Sequence, residues 1–380
     1  SNASSPVTDL HALQAIRLIK ENLVAAIEQP ENMELRAGML LASLHAICGR
    51  KLIFGHHMTS RFHITRPPRK GMRWSDVKAA TGEWPGMWSF QMNFATKYGQ
   101  ADQMRESIRF AREQGAAITM CWHMTNPVTG RPKDREIDFA SILPGGENHN
   151  LLKDRLQQGA DFLLTLTDSR GRPIPILMRP WHEFNLVGYW WNDCTPEQFI
   201  ELYRFTVEYY RQRGLHNLLY VYNPNWRPAM AKDFDSVFLE RYPGDDYVDV
   251  LSIDCYGELP REDVRKVLRQ VVLLAEKRGK LPALHETGVA IGRGYARPNA
   301  DPDWFAHVLE MLKEDPVARR TPYVTTWYNK RGQYWVPYEE GVNGFDAFMD
   351  SYRDDYTVFG EGVKELDLYG QPPAEAESPA

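Results

Sequence analysis

Cysteine is scarce in this sequence, and the four that occur (Cys48, Cys121, Cys194 and Cys255) follow no metal-binding or redox spacing. They are too few for a disulfide framework in 380 residues, and Cys121 and Cys255 lie in strand-like runs typical of small buried residues. No apolar run approaches the ~20 residues that a membrane helix requires. The net charge of −5, without any Lys/Arg run, argues against a nucleic-acid-binding surface.

Glycine-rich loops for dinucleotides or phosphates are also missing after the strand-like runs, which counts against a doubly wound nucleotide-binding fold. Instead, short apolar, β-rich runs alternate with longer helical patterns. The eight candidate strands are Lys51–Gly55, Gly86–Phe90, Ala117–Trp122, Pro175–Arg179, Leu218–Tyr222, Val248–Ile253, Leu281–Leu284 and Tyr323–Trp327. Such alternation produces parallel sheets, and eight units fit a closed barrel better than an open sheet. We therefore predict an α/β fold, a single-domain (β/α)8 TIM barrel.

Two amphipathic helical patterns, at 10–29 and 33–48, precede the first strand and predict a helical extension before the barrel. Residues 10–370 are interpreted as one catalytic domain. The first residues, Ser1-Asn2-Ala3, resemble an expression scar, so 1–9 are interpreted as a tag and disordered start. Residues 371–380, rich in Pro, Ala and Glu, are interpreted as a disordered tail.

Polar, titratable or aromatic residues end most of the candidate strands. In a barrel of this kind, chemistry occurs at the C-terminal ends of the strands. The residues at these ends are His56, His57, Gln91, Asn93, His123, His182, Glu183, Asn223, Asp254, Tyr256, His285, Glu286 and Trp327. Each alone is weak evidence because loops generally begin with polar residues, but their convergence predicts one site.

Glu183 and Glu286 follow strands four and seven, on opposing sides of the barrel mouth, where they can face each other. Glycosidic hydrolysis requires such a pair, with the carboxyl groups roughly 5–5.5 Å apart in retaining enzymes. The 11 Trp and 18 Tyr often cluster beside Gly, Asn and Pro, which suits a sugar-binding cleft as well as core packing. The alternative is that each glutamate only pairs with a nearby arginine, such as Arg179.

The histidines also permit a metal-dependent barrel hydrolase. Its ligands would come from His56, His57, His123, His182 and Glu183. However, strand one lacks an H-x-H spacing, and no acidic residue beyond Glu286 and Asp254 completes an obvious ligand set. Binding of sugar hydroxyls and orientation of Glu183 explain the same histidines more simply, so we expect no metal and no organic cofactor.

At these residues the sequence resembles glycoside hydrolase family 26, whose best-known members are β-mannanases. Arg179–Asn185, followed by Trp190-Trp191, resembles the family's strand-four signature R-P-x-H-E-x-N with its Trp pair, and Glu286–Gly288 is similar to its E-x-G segment. Further similar segments are Phe54-Gly55-His56-His57, Trp122-His123, the run Tyr242–Asp249 and Thr326-Trp327.

The resemblance implies double displacement with retention, in which Glu183 is the acid/base and Glu286 the nucleophile. It also implies that Tyr256 contacts the nucleophile and that Trp327 lies under the reactive sugar. The other expected substrate-binding residues are His57, Trp122, His123, His182, Trp190 and Trp191. The implied activity is cleavage of β-1,4-mannosidic linkages in mannan, glucomannan or galactomannan.

Three departures from the family pattern, at Gln91, Gly188 and Tyr328, fall in positions that hold sugar. They leave open whether the chain acts on mixed-linkage β-1,3-1,4-glucan or on β-1,3-xylan, as other family members do. A non-catalytic polysaccharide-binding barrel is the alternative from another class. The resemblance further predicts a monomer that is secreted, periplasmic or at the cell surface, with β-glycan chains as its partners, no nucleic acid and no membrane span.

Overall fold

The protein is described here by a computed structural model that covers residues 6–29, 32–65, 73–131, 134–257, 261–292 and 300–370. In these ranges eight parallel strands form the barrel: β1 (Leu52–His57), β2 (Met87–Gln91), β3 (Ala117–Cys121), β4 (Ile176–Arg179), β5 (Leu218–Tyr222), β6 (Val250–Tyr256), β7 (Leu281–Gly288) and β8 (Tyr323–Thr326). Their spatial order follows the sequence, and β8 pairs in parallel with β1, which closes the ring. The predicted (β/α)8 TIM barrel is confirmed.

The longer helices precede the barrel or alternate with its strands. They are α1 (Pro6–Glu28), α2 (Met33–Ile47), α3 (Ala101–Glu113), α4 (His149–Leu164), α5 (Pro196–Gln212), α6 (Arg261–Lys277), α7 (Trp304–Glu314) and α8 (Phe345–Arg353). Shorter helical segments are Asp76–Thr81, Asn93–Thr96, Phe139–Ile142, Trp190–Asn192, Pro228–Ala231, Phe234–Leu239, Asp245–Tyr247, Ala318–Arg320 and Gly360–Glu365. Two-residue strands occur at Ile291–Gly292, Gln333–Tyr334 and Thr357–Val358. Thr195 caps α5, and its side chain accepts a hydrogen bond from the Gln198 backbone N–H.

Four strands run further than the apolar runs predict. β1 includes His56 and His57, β2 includes Gln91, β6 extends to Tyr256, and β7 extends to Gly288. The apolar runs end where polar residues begin, but the backbone continues to pair there, and Tyr256 still opposes Gly288. His56, His57, Tyr256 and Glu286 are therefore held by strands, which are more rigid than loops.

The barrel floor is closed by the N-terminal helical extension. Leu40 and Leu44 of α2 belong to the same buried cluster as Met87, Leu177 and Leu281, which lie near the starts of β2, β4 and β7. Large side chains fill this end of the barrel, so it is a packed core and not a pore. The open end is the opposite one, where the strands finish.

The helical extension begins earlier than predicted. Helix α1 begins at Pro6, so residues 6–9, assigned above to a disordered start, are helical. Residues 1–5 and the predicted tail at 371–380 lie outside the described residues. All four cysteines lie in described ranges and are unpaired, with Cys121 and Cys255 buried as expected. Across the described helices, none has the length and apolar character needed to cross a membrane.

Candidate active site

Glu183 is held in an unusual backbone conformation just after β4. Its φ is 52°, in the left-handed region that residues other than glycine rarely adopt. Two hydrogen bonds fix it there: its backbone N–H donates to the Asn223 carbonyl (2.8 Å), and its carbonyl accepts from Asn192 Nδ2 (2.9 Å). Backbone strain of this kind costs about 1–3 kcal/mol and is concentrated at functional sites.

The Glu183 carboxyl group holds a proton more tightly than an exposed glutamate does. Burial, followed by the nearby negative charge of Glu286, raises the pKa of Glu183 to about 7. Asn225 acts in the opposite direction, because its Nδ2 donates to Glu183 Oε1 at 2.8 Å and stabilises the charged form. The environment thus leaves a proton on Glu183 up to near-neutral pH.

Glu286 lies within β7 and is only 2% exposed. The Tyr256 hydroxyl donates to its Oε2, and Arg179 Nη2 forms an ion pair with its Oε1. Glu286 therefore does pair with Arg179, but the alternative raised from the sequence, that each glutamate has only such a pairing role, is not decided by this contact. A guanidinium and a phenol hydroxyl on the two oxygens fix the carboxylate in one orientation and neutralise its charge.

A β-bulge directs Glu286 into the barrel mouth. The register of β7 against β8 shifts between Leu284 and Glu286, so His285 is the extra residue. His285 points into the barrel interior, where its Nε2 lies 2.9 Å from Thr119 Oγ1 and its Nδ1 lies 3.1 Å from Tyr323 Oη. In a regular strand, neighbouring side chains face opposite sides, so the bulge lets both His285 and Glu286 face inward.

Behind the two glutamates lies a fully buried polar network. Asp254 Oδ1 accepts from the Glu286 backbone N–H (3.0 Å) and from Asn223 Nδ2 (2.9 Å), while Arg179 Nη1 donates to Asn223 Oδ1 (3.0 Å). Burial disfavours the charge on Arg179. The negative charge of Glu286 acts in the opposite direction and raises the pKa of Arg179. Burial and the charge of Glu286 also raise the pKa of Asp254. The network connects β4, β5, β6 and β7, so the strands that carry the two glutamates are fixed relative to each other.

Partly exposed aromatic and polar side chains surround the glutamates. Trp327 stacks on His57, with ring centroids 4.1 Å apart and an interplanar angle of 7°. His123 lies between Gln91 Nε2 (3.0 Å from its Nδ1) and Tyr189 Oη (2.9 Å from its Nε2). Trp327, His123 and Tyr189 are each partly exposed, which makes them available to a ligand.

Other predicted binding residues are buried beneath this surface. They are His57 (0% exposed), Trp122 (3%), His182 (2%), Trp190 (0%) and Trp191 (0%). Trp190 Nε1 donates to the Met124 carbonyl and Trp191 Nε1 to the His182 carbonyl, both at 3.1 Å. Their rings are thus almost fully enclosed by protein atoms in this structure.

Several residues of the site were not predicted from the sequence. Asn225 and Tyr189 contact Glu183 and His123, and Trp335 packs edge-on against Tyr256 with ring centroids 5.1 Å apart. Trp335 also explains the glycine of the E-x-G segment, because a Cβ on Gly288 would lie 2.8 Å from its ring. Proximity to the strand-five end could have indicated Asn225, but no local pattern marks Trp335.

One group near the glutamates has the composition of a metal site. Ligand atoms of Cys121, His123 and His182 lie within 4.8 Å of one another. Both ring nitrogens of His123 already have hydrogen-bond partners, in Gln91 and Tyr189. The three side chains are therefore better explained as part of a hydrogen-bonded surface beside Glu183 than as metal ligands.

Known proteins share this architecture. A mannan endo-1,4-β-mannosidase of Bifidobacterium adolescentis is 30% identical over 336 residues, which is 80% of this chain and 33% of the relative. The chain thus spans about a third of that protein's length. The GH26 endo-β-1,4-mannanase catalytic domain of Bacillus sp. JAMB-750 superposes with a TM-score of 0.81 at 28% identity, over 89% of this chain and 95% of the other.

A double mutant of the Cellulomonas fimi endo-β-1,4-mannanase superposes with a TM-score of 0.82 at 32% identity, covering 90% of this chain and 78% of the other. The sequence profile of glycosyl hydrolase family 26 matches residues 30–318, three quarters of the chain and both strand-end glutamates. This match and the two glutamates across the barrel mouth agree with the resemblance found in the sequence: the chain belongs to glycosyl hydrolase family 26.

Proposed function

We propose that this chain is a retaining endo-β-1,4-mannanase that cleaves mannan, glucomannan or galactomannan. The observation that carries the proposal is the different environment of the two glutamates. Glu183 has a pKa of about 7, whereas Glu286 is paired with Arg179 and Tyr256. A proton-bearing acid and a charge-paired carboxylate are the two groups that double displacement requires. The related mannan endo-1,4-β-mannosidases support mannan as the substrate.

In the first step, Glu286 attacks the anomeric carbon and forms a glycosyl ester while the glycosidic C–O bond breaks. Glu183 gives its proton to the departing oxygen, so the leaving chain departs as a neutral alcohol. Arg179 and Tyr256 hold the Glu286 carboxylate in line for this attack. Esterification removes the negative charge of Glu286. The pKa of Glu183 therefore falls, which prepares Glu183 to act as a base.

In the second step, water replaces the leaving chain and Glu183, now ionised, takes its proton. The resulting hydroxide attacks the anomeric carbon, the ester bond to Glu286 breaks, and the sugar is released with its original configuration. We assign Trp327 to the apolar face of the reactive sugar, because its ring is partly exposed and is backed by His57. His123 binds sugar hydroxyls, while His182, Trp122, Trp190 and Trp191 support the site from below.

The choice of sugar is tested by product analysis on four polymers: linear mannan, glucomannan, galactomannan and mixed-linkage β-glucan, with β-1,3-xylan as a further control. We expect manno-oligosaccharides of several lengths early in the reaction on the first three. Exclusive hydrolysis of mixed-linkage glucan or β-1,3-xylan would show that the same chemistry acts on a polysaccharide other than mannan. Absence of new reducing ends on every polymer would support a non-catalytic binding barrel, and activity lost with a chelator would support a metal-dependent hydrolase.

Asn225→Ala is expected to move the alkaline limit of activity to higher pH. The Asn225 amide stabilises ionised Glu183, so its removal raises the pKa of Glu183 and keeps the acid protonated in more alkaline buffer. The measurement is kcat/KM against pH, which for the unaltered protein should decline above about pH 7. An unchanged alkaline limb in the folded variant would show that another group sets it. Asn148→Ala removes an amide remote from the glutamates and serves as the control.

We further propose that the protein acts outside the cytoplasm as a monomer. An endo-acting enzyme must meet a polysaccharide that is too large to cross a membrane. All of the groups invoked above come from one chain, so no second copy is needed to complete the site. Size-exclusion chromatography with light scattering checks the oligomeric state.

A further inference from the structure

A second cluster of histidine and cysteine lies at the floor of the barrel, far from the glutamates. His11 on α1, His45 on α2 and Cys48 just after α2 are 3%, 2% and 2% exposed. One ligand atom from each lies within 4.8 Å of the other two. The Nδ1 atoms of His11 and His45 face each other at 3.0 Å. Three donor side chains with nitrogen and sulfur atoms therefore converge in a place closed to solvent.

The distance between the Nδ1 atoms of His11 and His45 is close to that between two nitrogens bound to one metal ion. Two nitrogens bound to one tetrahedral zinc ion at about 2.0 Å each lie about 3.3 Å apart. A shift of a few tenths of an ångström would thus bring the two imidazoles to coordination distance. Cys48 adds a sulfur that makes only a weak hydrogen bond, 3.4 Å to the Leu44 carbonyl.

The surroundings also match those of a ligated histidine. Metal-bound histidines almost always donate their second ring N–H to a carboxylate or carbonyl. His11 Nε2 lies 3.1 Å from Glu276 Oε1 on α6, and Arg320 Nε in turn lies 2.6 Å from the same oxygen. Within the described residues, His45 Nε2 is buried without a hydrogen bond, and the contact of His11 Nε2 with Glu276 has ion-pair distance but not hydrogen-bond alignment. With the carboxylate on the Nε2 side of His11, the opposite ring nitrogen, Nδ1, is the one that faces His45 and the cluster.

We propose that His11 Nδ1, His45 Nδ1 and Cys48 Sγ bind a zinc-type divalent ion, with Glu276 orienting His11 from behind. Mixed imidazole and thiolate ligands select such ions over Mg²⁺ or Ca²⁺. Cys48 binds as the thiolate, and its proton is released to solvent. The ion joins α1 to the end of α2, and through Glu276 to α6, so it fixes the helical extension to the barrel wall.

The test uses the full chain, stripped of metal with a chelator and titrated separately with Zn²⁺ and Co²⁺. We expect one equivalent of either ion to bind, a thiolate-to-cobalt charge-transfer band, and a rise of several degrees in the unfolding temperature with zinc. Cys48→Ser should lose the cobalt–thiolate band, and His45→Gln should weaken binding by at least about tenfold. Cys121→Ser, in the other histidine–cysteine group, is the matched control and should retain both the band and the affinity.

Each outcome of these titrations either supports or contradicts the proposed site. Absence of a cobalt–thiolate band in the folded, unaltered chain would overturn the proposal, even if the variants failed to fold. Retention of the band in Cys48→Ser, or its loss in Cys121→Ser, would place the metal at the active-site group. Hydrolysis of mannan by the metal-free chain is expected to continue below the unfolding temperature, because the barrel floor lies opposite the glutamates.

Discussion

Glu286→Ala is expected to lower kcat on mannan by about 10⁴-fold or more, because it removes the carboxylate that forms the glycosyl ester. The same change leaves the Arg179 guanidinium without its closest charged partner in a site that is fully buried. Removal of one member of a buried pair costs about 3–5 kcal/mol in the free energy of unfolding. The measurements are steady-state kinetics and urea unfolding.

Two controls make the result specific to a nucleophile. Glu286→Gln retains the volume and some hydrogen bonding of the side chain, so it should lose activity similarly while losing less stability than the alanine variant. Sodium azide should partly restore turnover of an activated aryl glycoside by Glu286→Ala and release a glycosyl azide of inverted configuration. Turnover near that of the unaltered chain, or azide products of retained configuration, would contradict the assignment.

Glu183→Ala is expected to reduce kcat on mannan by about 10²- to 10⁴-fold, the usual contribution of a positioned general acid. Cleavage of a dinitrophenyl glycoside should be affected far less in the first step, because that leaving group departs without a proton. Hydrolysis of the ester also needs Glu183 as base, so the intermediate should accumulate and give a burst of dinitrophenolate. Rapid-mixing kinetics with the two substrate types measures the difference.

The pH profile provides an independent check on Glu183. With a pKa of about 7, the protonated acid prevails below that pH and is lost above it, so kcat/KM of the unaltered chain declines on the alkaline side. In Glu183→Ala this alkaline limb should disappear. An equal loss of rate on mannan and on the dinitrophenyl glycoside, with the limb intact, would show that Glu183 has another role.

The fold was predictable from sequence because most barrel strands are apolar runs followed by a polar residue. β5 was predicted residue for residue as Leu218–Tyr222, since both of its ends coincide with a change in polarity. The ends of β1, β6 and β7 were placed too early, because polar side chains that face the barrel mouth do not interrupt backbone pairing. Polarity reports the environment of a side chain, whereas the strand is defined by its hydrogen bonds.

The two glutamates could be identified from their positions, but their environments could not. Whether Trp190 and Trp191 expose a face depends on how the segment after β4 folds back over the helices, and both rings are buried. The bulge at His285 has no signature in the residues around it, and the contact of Trp335 with Tyr256 joins distant parts of the chain. These features arise from long-range packing, which a single sequence does not encode in any local pattern.

The left-handed backbone at Glu183 has a consequence for how this activity can be lost in evolution. Glycine adopts that conformation without steric cost, so Glu183→Gly would abolish the acid and at the same time relieve strain at a residue held by two neighbouring asparagines. Because it relieves this strain, Glu183→Gly is expected to cost less stability than a typical inactivating substitution in an enzyme core. Loss of the nucleophile is expected to cost more, because it leaves the buried Arg179 without its ion-pair partner.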